Sequence, residues 1–142
     1  MRSLLDVNML LALFDSAHVH HVKSKEWFMA QDDKTWASCP ITEHGFIRII
    51  SQPSYPSPIS VAHAVELLRG ATGSGLHEFW SDDISLLDEE RIAHSHVHGP
   101  KQLTDVYLLA LAVKHGGRLV ALDRSIPRSA VHGAAGKDLV IV

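Results

Sequence analysis

Cysteine is almost missing from this chain: Cys39 is the one example in 142 residues. A lone thiol cannot close an internal disulfide. The fold must therefore rest on its core, the pattern fits a reducing compartment, and Cys39 reads as a small buried side chain. Long apolar runs are missing too. None approaches the roughly 20 residues that a membrane-crossing helix needs. The opening MRSLLDVN meets an acid at Asp6, so it does not read as a secretory leader. Positive charge is not in excess: 13 Lys and Arg against 16 Asp and Glu give −3 with histidines neutral. That argues against a broad surface that coats nucleic acid. It leaves room for an enzyme that grips nucleic acid through a metal and a local patch. The phosphate-cradling P-loop pattern is absent, and so is the G-x-S-x-G elbow of serine hydrolases, because Gly73-Ser74-Gly75 lacks its spacing. What these absences leave is a cytoplasmic globular protein. With 46% apolar and 20% charged residues, the chain predicts a single domain over residues 1–142.

The residues that are present alternate between strand and helix patterns. Residues 3–6 predict a short buried strand and residues 8–17 a helix capped by Asn8. A second helix is expected over residues 20–31, with Val22, Trp27 and Phe28 on its apolar side. Trp36 to Ser38 predicts a second strand, and a third helix opens around Pro40, Thr42 and Glu43, with Thr42 as a cap. Three prolines, Pro53, Pro56 and Pro58, mark a loop. Further helices are expected over residues 60–69, 84–93 and 104–115. The last of these has Thr104 as its cap, Asp105 in its first turn and Gly116-Gly117 as its stop. Strands are expected at residues 77–80, 118–123 and 139–142. Such alternation argues for a parallel sheet covered on both faces, binding its ligand beyond the carboxyl ends of its strands.

Two acids, Asp6 and Asp123, end apolar strands. Two more, Glu43 and Asp105, open helices. In a parallel sheet all four positions lie on one edge, so the four carboxylates are expected to converge there. Crowded carboxylates repel one another unless a cation joins them, and hard oxygen donors select Mg²⁺ or Mn²⁺. Such an ion activates water and neutralises charge on a phosphodiester, which points to a metal-dependent nuclease. Asp32-Asp33, Asp82-Asp83 and Asp88-Glu89-Glu90 sit in polar surroundings and read as solvated surface.

The histidine groups, His18, His20 and His21 and then His94, His96 and His98, suggest zinc at first sight. Neither has an accompanying cysteine pair or the i, i+4 spacing of a helical zinc motif, so structural or surface roles are expected. A dehalogenase-like phosphatase would want an acid where Asn8 stands. Arg124 and Arg128 are the cations nearest the expected edge and read as phosphate contacts or as plain surface.

Leu4-Leu5-Asp6-Val7-Asn8, Thr42-Glu43, Thr104-Asp105-Val106-Tyr107-Leu108-Leu109-Ala110-Leu111-Ala112 and Leu122-Asp123, in that order and spacing, resemble the motifs of the PIN-domain ribonucleases. More narrowly, the chain resembles the VapC-type toxins of bacterial toxin–antitoxin pairs; His20 to Phe28 and His77-Glu78-Phe79-Trp80 add to the likeness. The resemblance implies a three-layer α/β/α fold and RNA cleavage dependent on Mg²⁺ or Mn²⁺. It also implies a homodimer and inhibition by a partner antitoxin. By the same resemblance, Asp6, Glu43, Asp105 and Asp123 are the acidic metal-site residues, and Asn8 and Thr104 are polar supports beside them. An Arg from the antitoxin would fit such an acidic pocket, and Leu11, Phe14, Trp27 and Phe28 would offer it a groove. The alternative to an enzyme is a non-catalytic PIN-like module that only binds RNA or protein.

Overall fold

Adjacent side chains on the central strands enter different apolar surroundings, and that alternation sets the layers. In the computed structural model, which describes residues 1–142, Leu4, Leu119 and Ala121 pack in one core while Leu5 and Val120 pack in another. The strands are β1 (Ser3–Leu5), β2 (Trp36–Ser38), β3 (His77–Phe79), β4 (Arg118–Ala121) and β5 (Leu139–Ile141). All pairings are parallel, in the order β3-β2-β1-β4-β5. The helices are α1 (Val7–Phe14), α2 (His21–Ala30), α3 (Pro40–Ile50), α4 (Val61–Thr72) and α5 (Leu103–Lys114). Helix α5 covers one face, and its run from Val106 to Ala112 is buried throughout. The other face is covered by Met9, Leu10 and Leu11 of α1, Phe46 and Ile50 of α3, and Ala64 and Leu68 of α4. This is the three-layer α/β/α arrangement. No helix is long and apolar enough to cross a membrane.

The chain steps outward from β1 through β2 to β3, then returns to the other side of β1 for β4 and β5. The reversal opens a crevice at the carboxyl ends of β1 and β4, the place where such sheets bind ligands. Helices α1 and α3 close one side of it. Their contact is tight: a Cβ added at Gly45 would lie 2.5 Å from Cγ2 of Val7.

Several local expectations differ from the structure. Asp6, not Asn8, caps α1: its backbone is extended and its Oδ1 accepts the Met9 N–H at 2.7 Å. Val22 is 66% exposed; it lies roughly 120–140° round α2 from both Trp27 and Phe28, off their side of the helix. At the start of α3 the cap is Cys39, and Thr42 instead reaches back to accept the Cys39 N–H at 3.0 Å. Residues 84–93 form turns and one bridge, Ile92 to Val131, not a helix. There Ser85 Oγ accepts the Leu87 N–H and Asp88 Oδ1 accepts the Glu90 N–H, local bonds that compete with a helical ladder.

Candidate active site

Asp6 stays in the sheet by its backbone, donating its N–H to Val120 O at 3.1 Å, while its side chain turns to cap α1. The residue is 4% exposed. Asp105 is in the first turn of α5. Thr104 also lies inside that turn, because α5 starts at Leu103 with Gln102 in the cap position. Asp6, Asn8, Thr104 and Asp105 line one cavity of about 300 Å³, together with Ile41, His44, Gly45 and Arg48 of α3. Asp123 follows β4 and stands outside the cavity lining. Its Oδ1 accepts both the N–H and the hydroxyl of Ser125, at 2.8 and 2.7 Å.

The electrostatics join the three aspartates. Burial, reinforced by the charges of Asp105 and Asp123, pushes the Asp6 carboxyl up to about 7 despite the Met9 hydrogen bond. Asp105 is raised by burial and by Asp123. Asp123 itself is lowered by its Ser125 hydrogen bonds. Each carboxylate keeps an oxygen with no protein donor: Oδ2 of Asp6, Oδ2 of Asp123 and both oxygens of Asp105.

Glu43 does not share this cavity. On α3 the positions of Ile41, His44, Gly45 and Arg48 face the aspartates, and Glu43 lies roughly half a turn round from their centre. Its Oε2 accepts the Ser38 hydroxyl at 2.5 Å, and Ser38 Oγ is 2.7 Å from Nε2 of His77. With the Ser38 proton committed to the carboxylate, Ser38 must accept from a His77 Nε2–H. The His77 ring rests 4.4 Å, centroid to centroid, from Trp36, and burial lowers its pKa, with Glu43 opposing. Glu43 also lines a separate cavity with Ile47, Leu68 and Arg69.

The residues that sequence reasoning missed are His44 and Arg48 at the cavity, and Ser38 behind Glu43. The i, i+4 spacing of His44 and Arg48, beside Ile41 and Gly45, was the available signal. Neither Arg124 nor Arg128 lines the cavity. One or two members of each histidine group serve local structure: His18 Nδ1 accepts the His20 N–H, His21 Nδ1 meets Ala12 O at 2.7 Å, and His94 Nε2 meets Leu86 O.

A divalent cation fits the aspartates. A buried carboxyl with two acids beside it and no cationic partner is relieved by one, and the donors present are all hard oxygens. No three His, Cys, Asp or Glu side chains are already drawn in around one point. The aspartates are therefore neighbours in charge, not a closed cage.

The sequence profile of the PIN domain matches residues 3–131. The chain belongs to the PIN-domain family. Within it the kinship is with the VapC group. The chain is 57% identical to Ribonuclease VapC44 of Mycobacterium tuberculosis over 139 residues, 98% of each chain. It is 42% identical to Ribonuclease VapC38 of the same organism, over 87% of this chain and 86% of that one. Among solved structures, Mycobacterium tuberculosis VapC20, described as a sarcin-ricin loop cleaving toxin, superposes with a TM-score of 0.64 at 11% identity, covering 91% and 95% of the two chains. A toxin–antitoxin complex from Klebsiella pneumoniae gives 0.56 at 18% identity, covering 97% and 95%. These two likenesses support the PIN fold.

Proposed function

We infer that this PIN domain is an endoribonuclease, the toxin member of a VapC-type pair, and that Asp6, Asp105 and Asp123 hold its divalent cation. The observation that carries the reading is the placement of Asp6. It is buried at the reversal of the sheet, beside two more acids, on a cavity open to solvent. A fold gains nothing from that repulsion unless a cation is bound. The near full-length likeness to proteins named ribonucleases supplies the substrate class. When bound, the ion provides a Lewis acid for the phosphodiester and lowers the pKa of water.

The chain's own residues do the rest. The Met9 N–H fixes Asp6 by Oδ1 and leaves Oδ2 without a protein donor, so that Oδ2 would hold the ion. Ser125 fixes Asp123 in the same one-sided way. Asn8 and Thr104 supply an amide and a hydroxyl to orient RNA or water within the cavity. Glu43, held by Ser38, which His77 contacts in turn, supports the site from behind in this reading, and Asp6 and Asp105 are its most sensitive residues. Mg²⁺ or Mn²⁺ is the expected ion because every donor is oxygen. Purified protein should cut RNA with either metal and stop on addition of EDTA. Activity that needs zinc, and survives without Mg²⁺ or Mn²⁺, would contradict the assignment.

The toxin reading extends to partners. A cavity of about 240 Å³, walled by Leu5, Leu13, Phe14, Phe28, Trp36 and Leu76, offers an apolar groove to an antitoxin. Of the four groove residues expected, Phe14 and Phe28 line it, whereas Trp27 does not and Leu11 is buried in the core. A homodimer, a cytoplasmic setting and a single domain complete the proposal.

A further inference from the structure

The wall of the cavity opposite the aspartates carries the less obvious chemistry. RNA presents one negative charge per phosphodiester, and two carboxylates already occupy this cavity. The approaching backbone therefore needs a cation of the protein's own. Arg48 is the one Lys or Arg among the lining residues, with His44 one helical turn before it. Its guanidinium is not spent elsewhere. The ion pairs of the molecule are Met1–Asp33, Arg2–Glu78, Arg91–Asp88, Lys114–Asp83 and His115–Asp83. Arg48 is in none of them, and its side chain donates to no protein acceptor. Nor does it neutralise the acids it faces, since its charge is not among those acting on Asp6 or Asp105.

A basic residue in the last turn of a helix is favourable wherever it points. That accounts for a cation near the end of α3. It does not account for an exposed, unpaired guanidinium on a cavity walled by carboxylates. The close contact of Gly45 with Val7 brings this face of α3 against the start of α1, next to Asp6. A guanidinium matches phosphate with paired N–H donors, which a point charge does not.

Resting on the ribonuclease reading, we propose that Arg48, assisted by His44, grips an RNA phosphate across the cavity from Asp6 and Asp105, so that the scissile strand enters between α3 and the aspartates. Arg48 is thus a substrate-binding residue, separate from the metal ligands.

The test uses the full chain carrying Asp105→Asn, so that RNA survives, and a fluorescently labelled single-stranded RNA. Binding is followed by anisotropy over a series of salt concentrations. Adding Arg48→Ala should weaken binding about tenfold. It should also make the slope of log affinity against log salt shallower by about 0.7, the value for one lost contact on a single strand. Arg48→Lys should keep most of that slope. In the otherwise wild-type chain, Arg48→Ala should bind Mn²⁺ as tightly as the parent, because the Arg48 charge does not act on Asp6 or Asp105. Unchanged RNA affinity, or weaker affinity with an unchanged salt slope, overturns the proposal and leaves the ribonuclease reading standing. Loss of Mn²⁺ affinity in Arg48→Ala also overturns it, by showing that Arg48 only supports the fold. A parent protein that binds no RNA at all brings down the ribonuclease reading, and the proposal with it.

Discussion

Two demands on the Asp6 carboxyl oppose each other. Capping α1 favours the ionised form, since Oδ1 accepts the Met9 N–H. Burial next to Asp105 and Asp123 disfavours it and wins, lifting the group to about 7 from 3.8. Between those values the unfolded chain has lost a proton that the metal-free fold retains. Stability of the metal-free protein should therefore fall as pH rises from about 4 to about 7, by on the order of 4 kcal/mol at most. Denaturant unfolding in EDTA at the two ends of that window measures it. Asp6→Asn keeps an acceptor for Met9 but removes the ionisation, so its stability should vary less across the window and exceed that of wild type at the upper end. Equal pH dependence in the two proteins would remove Asp6 as its source. Glu43 gives a second residue-level expectation. Held by Ser38 on the far face of α3, Glu43→Gln should retain Mn²⁺ affinity within a few-fold. Asp105→Asn should lose about 100-fold or more, since even outer-shell partners cost 10–100-fold. Calorimetric titration compares the two.

At the scale of elements, the sequence was readable wherever one residue type decides a local outcome. Short, mostly apolar runs ended by an acid, Ser3-Leu4-Leu5 before Asp6 and Leu119-Val120-Ala121-Leu122 before Asp123, marked β1 and β4, and the apolar run closed by Gly116-Gly117 marked α5. The Ile84 to Ala93 stretch was not readable, because Ser85 and Asp88 satisfy backbone N–H groups through their side chains and hold the chain in turns. At the site, the strand ends put Asp6 and Asp123 within electrostatic reach of Asp105, while the facing of Glu43 was hidden. Pro40 and the Cys39 cap set the phase of α3, and the sheet decides which side of that phase meets β1. Only the assembled layers show that His44 and Arg48 face the aspartates. The α1–α3 contact that fixes this phase is itself testable. Val7 is β-branched and stiff in its helix, so the Cβ of Gly45→Ala cannot be accommodated by a simple side-chain swing. The substitution should destabilise by about 1–3 kcal/mol, as overpacking does. Val7→Ala should restore part of the loss in the double variant. A Gly45→Ala protein as stable as wild type, by thermal or denaturant unfolding, would contradict the contact.

For the whole molecule, a reversed parallel sheet places an acidic cavity at its carboxyl edge and an apolar groove beside α1, α2 and β2. The toxin reading assigns RNA and its metal to the first and an antitoxin to the second. Expression of the chain alone should therefore slow growth, and co-expression of its antitoxin should restore it. Phe28→Glu should cut RNA normally yet escape that rescue, because the charge enters the groove and not the cavity. Rescue of Phe28→Glu as complete as that of wild type would place the partner elsewhere. The central claim is that Asp6, Asp105 and Asp123 bind one functional cation, and a paired titration tests it most directly. Mn²⁺ binding and RNA cleavage are measured over the same range of metal concentration, for wild type and for Asp105→Asn. In wild type the two curves should rise together, and in Asp105→Asn both should collapse while the fold is retained. An Asp105→Asn protein that binds Mn²⁺ and cuts RNA as wild type does would contradict the account.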